Sequence, residues 1–193
     1  MNGRDISRPY KHRVISQSSI FERGALCLND QTNFPKRKSP RLVGYDYARE
    51  GAYSITVCTH ERINHFGQIT NGIMYLNAIG MIVNTCWNEI PIHYPSVELD
   101  AFVIMPNHLH GILVFDDLVS VSAHSRSLGV IVSTFKAAVT RRIAKLTLTE
   151  PPTRLWQRNY YDHIIRNEAD LNRIREYVMS NPERWQEDRF YGM

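Results

Sequence analysis

The chain has 193 residues, 43% of them hydrophobic and 22% charged, which is the make-up of one globular domain and excludes wholesale disorder. No apolar run approaches the ~20 residues that span a bilayer, Met1 to Tyr10 lacks the apolar core of a signal peptide, and three scattered cysteines (Cys27, Cys58, Cys86) exclude a disulfide scaffold or a zinc ribbon. A protein of the reducing cytosol is expected. The formal net charge of +4 is uneven. Residues 1–50 hold 10 Lys+Arg against 5 Asp+Glu, and from Arg126 to Arg175 there are 10 basic residues against 4 acids. Such clustering suits a polyanion, with nucleic acid foremost, although solubility alone would also account for it.

Residues 1–40 carry no sustained period and contain Pro35-Lys36-Arg37-Lys38, which reads as a basic, flexible arm; a short helix around Ile20 to Leu28 is the competing reading. Residues 41–190 form the domain. Its first strand is Tyr53 to Thr59, alternating and β-branched. Two short strands follow between Phe66 and Leu76, around the turn signal Asn71-Gly72. Asn77 caps a helix whose stripe is Ile79, Ile82, Val83, Cys86, Trp87 and Ile90, and Pro91 and Pro95 are expected to end it. Val97 to Met105 and His108 to Phe115 are long strands joined so tightly by Pro106-Asn107 that they must be antiparallel. A second amphipathic helix starts at Leu128, and a third runs from Glu168 to Asn181 until Pro182 stops it. The pattern predicts an α+β fold, with helices packed on one face of an antiparallel sheet.

Two constellations carry chemistry. His108 and His110 alternate around Leu109 on one strand, so both imidazoles face the same way and can share a divalent cation. Standing just after a turn, they are expected at the edge of the sheet, open to a cleft; a plain polar surface pair is the alternative. Tyr177 and Asn181 are four residues apart on the last helix and share a face. A tyrosine can attack phosphorus and hold a phosphodiester covalently, and an Asn carbonyl is a hard oxygen ligand. Equally, Tyr177 can be a half-buried aromatic and Asn181 a helix stop, and Tyr160 and Tyr161 compete as nucleophiles.

Met105-Pro-Asn-His-Leu-His-Gly111, Trp156-Gln-Arg-Asn-Tyr-Tyr-Asp-His-Ile-Ile-Arg166 and Tyr177-Val-Met-Ser-Asn-Pro182 occur in this order, and Arg41 to Tyr47 and Ser127 to Val132 are in register with them. Together they resemble the single-tyrosine HUH transposases, above all the REP-associated tyrosine transposases, from about Arg37 to Arg189. The resemblance implies a central antiparallel sheet of RNA-recognition-motif (ferredoxin-like) type. It implies Mg²⁺ or Mn²⁺ on His108, His110 and Asn181, with Tyr177 as nucleophile. The implied reaction cuts and rejoins single-stranded or hairpin DNA through a 5′-phosphotyrosine. A non-catalytic, domesticated binder of hairpin DNA or RNA is the rival. Relatives with this chemistry occur as monomers and as dimers that exchange tyrosine helices. Lys136, Arg141, Arg142 and Arg158 are candidates for phosphate contact, and Trp156, Tyr160 and Tyr161 for stacking on unpaired bases.

Overall fold

The computed structural model describes residues 45–116, 127–146 and 154–191. The arm expected over residues 1–40, and the alternative helix near Ile20, lie outside them.

Four strands form the main sheet: β1 (Gly51–Cys58), β4 (Val97–Ile104), β5 (His108–Phe115) and β6 (Tyr161–Ile165), in the order β4-β5-β1-β6 and antiparallel throughout. This is the ferredoxin-like strand order, with β1 and β5 in the middle. A separate ribbon pairs β2 (Gly67–Thr70) with β3 (Ile73–Leu76). Asn71 and Gly72 turn it with positive φ (52° and 74°), the left-handed pair that a two-residue hairpin of matching twist requires.

The helices are α1 (Ala78–Asn88), α2 (Ile90–His93), α3 (Leu128–Leu146) and α4 (Glu168–Ser180). Asn77 caps α1 as expected, its side chain accepting from the Gly80 N–H. Pro91, expected as a terminator, instead stands in the first turn of α2, where its missing N–H costs nothing.

Alternation divides β1 and β5 between two cores. Tyr53, Ile55, Val57, Leu109, Leu113 and Phe115 pack with Trp87 and the stripe of α3 (Leu128, Ile131, Val132, Phe135, Val139, Ile143). Ala52, Ile112, Val114 and Ile165 pack with Leu171, Ile174 and Val178 of α4. The α+β class holds, but the helices are not all on one face: α1 and α3 cover one side and α4 the other. The reason is in β5, which is apolar at consecutive positions and buried along its whole length, so both its faces need a cover. A bulge in β4, between Leu99 and Phe102, helps to dock α4, because Asp100 within it accepts two hydrogen bonds from the Arg175 guanidinium (2.8 and 2.5 Å).

Gly111 marks the tightest approach in the first core. A Cβ there would come within 2.3 Å of Cζ2 of Trp87, a ring held on its other sides by Phe102 and Phe135. Gly111→Ala is expected to cost at least ~2 kcal/mol by overpacking. Chemical denaturation measures it, and a midpoint equal to wild type would refute the packing.

Candidate active site

His108 and His110 point to the α4 side of the sheet. They lie on an inner strand and are almost wholly buried (0% and 3% exposed), not at the sheet edge where the sequence placed them. What closes over them is the chain after α4. A short turn at Trp185–Glu187 brings the Phe190 ring to 4.7 Å from the His108 ring and the Trp185 ring to 6.0 Å.

The protonation of the pair can be read from its surroundings. Nδ2 of Asn107 donates to the carbonyls of Arg62 and Phe190 (3.0 and 2.9 Å), which fixes the amide and leaves Oδ1 as an acceptor. Nδ1 of His108, 2.8 Å from that oxygen, must therefore carry the proton, and Nε2 is a lone pair. His110 has Thr56 Oγ1 at 2.7 Å from Nδ1, and its Nε2 lies 3.0 Å from Nε2 of His108. With the His110 proton turned to Thr56, two lone pairs converge on one point. Burial, reinforced by His110 and nearby arginines, lowers the His108 pKa to about 2; burial also lowers that of His110 to about 4, against the pull of Asp188. Both rings are neutral at pH 7, the form that ligates metal.

α4 delivers Tyr177 and Asn181 to the same place. The Tyr177 hydroxyl is 3.4 Å from Nε2 of His110, and the two rings meet edge to face at 5.2 Å. Asn181 is 2% exposed; its Nδ2 donates to Asp188 Oδ2 (3.1 Å), while its Oδ1 is buried without a hydrogen-bond partner. An orphaned buried carbonyl beside two imidazole lone pairs is what a cation-binding site needs. Asp188 completes the cluster. Its carboxylate and the two imidazoles bring ligand atoms within 4.8 Å of one another, a group able to hold a metal. Oδ2 of Asp188 also accepts from the Tyr177 hydroxyl (3.4 Å), and Oδ1 accepts from the Phe190 N–H (2.6 Å).

The Tyr177 pKa is raised, first by burial and then by the Asp188 carboxylate, while Asn181 and Arg189 act against the shift. The resting group is the neutral phenol, and Asp188 Oδ2 is its hydrogen-bond acceptor.

The candidates for DNA contact fare differently. Trp156 and Tyr160 are 8% exposed and belong to the first core, and the Trp156 indole packs on Phe66 and Phe135 while donating to the Lys136 carbonyl (3.2 Å). Their ring faces are used in packing rather than offered to bases. Lys136 has its ammonium turned inward onto the carbonyls of Gln157 and Asn159 (2.9 and 3.2 Å), and burial lowers its pKa to about 8. Arg142 pairs with Glu89 at 2.5 Å. Arg141, Arg158 and Tyr161 are exposed. Sequence reasoning missed Thr56, Asn107 and Asp188. Asn107 was quoted within a motif without a role, and Asp188 lies past the last periodic segment, where no spacing signal exists.

No protein-family model matches the chain. A Haemophilus influenzae protein of uncharacterised function is 41% identical over 170 residues, which cover 80% of this chain and 93% of that one. The two belong to one family. A second protein of that bacterium, provisionally named a REP-associated tyrosine transposase, is 24% identical over 144 residues, covering 71% of this chain and 73% of that one. A solved structure of a REP-associated tyrosine transposase bound to a REP hairpin matches with a TM-score of 0.53 at 17% identity, over 80% of this chain and 73% of that one. The chain is thus similar in sequence to one protein so named and in fold to another. The fold expected from the motifs is the fold found, a four-stranded antiparallel sheet with helices. Among the described residues, no helix is long and apolar enough to cross a membrane.

Proposed function

We propose that the chain is a metal-dependent single-strand DNA endonuclease and strand transferase, acting on hairpin-bearing DNA through a 5′-phosphotyrosine on Tyr177. One observation carries this reading: the Tyr177 hydroxyl lies 3.4 Å from both His110 Nε2 and Asp188 Oδ2, beside the orphaned Asn181 carbonyl. A nucleophile, a proton acceptor and a set of metal-ligating atoms thus share one site.

His108, His110 and Asn181 hold the cation in this reading, with the Asp188 carboxylate also within reach. Bound there, Mg²⁺ or Mn²⁺ supplies Lewis-acid polarisation of the scissile phosphate. Asn107 and Thr56 orient the two imidazoles through Nδ1. Asp188 Oδ2 takes the phenolic proton as the Tyr177 oxygen bonds to phosphorus. The bond from phosphorus to the 3′ oxygen breaks, and that oxygen leaves as a 3′-OH after gaining a proton. An incoming 3′-OH reverses these steps, displaces Tyr177 and rejoins the strand. The ester keeps the energy of the broken bond, so no nucleotide cofactor is required.

Incubation of labelled single-stranded hairpin DNA with the protein and Mn²⁺ tests the proposal. A denaturation-resistant adduct on Tyr177 is expected. Tight hairpin binding with no adduct under any divalent metal would instead favour a non-catalytic, domesticated binder. Binding is also expected to weaken steeply with salt, with a log–log slope near −0.7 per phosphate neutralised, and to favour single-stranded or hairpin DNA over plain duplex. Anisotropy titrations across a salt series check this, and a flat dependence would count against a phosphate-binding surface.

A further inference from the structure

Two arginines that the reading above leaves without work meet at the edge of the site. Arg62, in the turn after β1, places its Cζ 5.1 Å from the centroid of the Phe190 ring and donates from Nη1 to the Arg189 carbonyl (3.2 Å). Arg189 places its own Cζ 4.6 Å from the same ring and 5.1 Å from the ring of Tyr161. Phe190 in turn lies against His108 and, at 6.1 Å, His110. The two guanidinium groups are therefore one aromatic ring away from the imidazole pair.

Their setting is not that of structural ion pairs. Among the described residues, Arg142, Arg173 and Arg175 each have a carboxylate partner at 2.5–2.6 Å, whereas Arg62 and Arg189 have none within ion-pair distance. Both guanidinium groups lie against one ring with no carboxylate to neutralise them. A phosphate reached by both would supply the missing counter-charge, and the planar forks suit its non-bridging oxygens.

We propose that Arg62 and Arg189 together grip the phosphate that neighbours the one attacked by Tyr177, and so set the position of the strand. This inference rests on the strand-cleavage reading, but it is tested through binding rather than cleavage. A methylphosphonate placed at the phosphate next to the cleavage position removes that phosphate's charge. The expected result is a wild-type affinity loss of at least fivefold, with no further loss from the methylphosphonate in Arg189→Gln. The same variant should lower the log–log salt slope for single-stranded DNA by about 0.7, the value for one phosphate. Arg189→Lys, which keeps the charge, should restore the slope.

Arg189 is exposed and only its backbone carbonyl enters a hydrogen bond, so Arg189→Gln tests the grip even if Arg62→Gln loosens the tail. A methylphosphonate penalty of equal size in wild type and Arg189→Gln would overturn the proposal, as would an unchanged salt slope. Absence of any Tyr177 adduct in wild type would sink the cleavage reading without touching these binding measurements.

Discussion

Tyr177→Phe is expected to abolish both the covalent adduct and the 3′-OH product, a fall of at least about 10⁴-fold, while hairpin binding stays within about twofold of wild type. The substitution removes one oxygen and keeps the ring, so the edge-to-face contact with His110 survives. The lost hydroxyl bonds are long (3.4 Å), and the residue is 43% exposed, so stability should change by less than about 0.5 kcal/mol. His108, His110 and Asn181 remain to bind metal. Tyr160→Phe should leave the adduct in place, since that ring is packed into the core, and Tyr161→Phe should alter the rate at most. Peptide mapping of the trapped adduct decides between the three tyrosines: DNA on Tyr160 or Tyr161 would refute the assignment.

Removing an imidazole should act on two properties at once. His108→Ala or His110→Ala is expected to lower Mn²⁺ affinity at least about 100-fold and to cost about 2 kcal/mol of stability. Their burial gives them a part in stability that ligands at an open sheet edge would not have. Each truncation leaves a cavity beneath Phe190 or α4 and strands a polar partner, Asn107 Oδ1 or Thr56 Oγ1. Asn107→Ala keeps both ligands while freeing the His108 ring and leaving the Arg62 and Phe190 carbonyls without their donor, so its stability is measured beside its metal affinity. A 10–100-fold loss of Mn²⁺ affinity is expected from it, by calorimetric titration. Equal affinity in wild type and the His108→Ala/His110→Ala double variant would place the metal elsewhere.

The same burial sets a pH dependence for the metal-free protein. Both histidines have folded pKa values below the ordinary 6.5, so their contribution to stability is fully present above pH 6.5. It is lost as pH falls through the value of about 4 for His110, with His108 lower still. Denaturation midpoints between pH 7 and 4 should fall less steeply in the His110→Ala variant.

Local rules made much of this molecule legible. The β-branched run of Tyr53 to Cys58, the long apolar strand His108 to Phe115, the Asn71-Gly72 turn and the Asn77 cap depend on residues a few positions apart, and each appears where the sequence put it. The shared face of His108 and His110 is likewise a property of any strand, and that of Tyr177 and Asn181 of any helix. Nothing local could place the two pairs against each other. That meeting depends on α4 crossing to the opposite face from α1 and α3, which follows from a central strand needing cover on both sides.

The basic half shows the limit of composition most clearly. Ten cations between Arg126 and Arg175 read as one electrostatic surface, yet Arg142, Arg173 and Arg175 are spent on carboxylates and Lys136 on backbone carbonyls. Charge is countable in a sequence, but its partners are set by long-range packing. Trp156 turns inward for the same reason, its indole packed on Phe66 and Phe135, and Tyr160 is buried in the same core. The sequence by itself therefore determined β1 to β5, the helices α1, α3 and α4, and the residue types able to bind metal and attack phosphorus, but not β6 or α2. Only the tertiary structure decided that Asp188, Asn107, Thr56 and two arginines join them. These residues come from four separate stretches of chain, and a contact between distant stretches has no periodic signature to read.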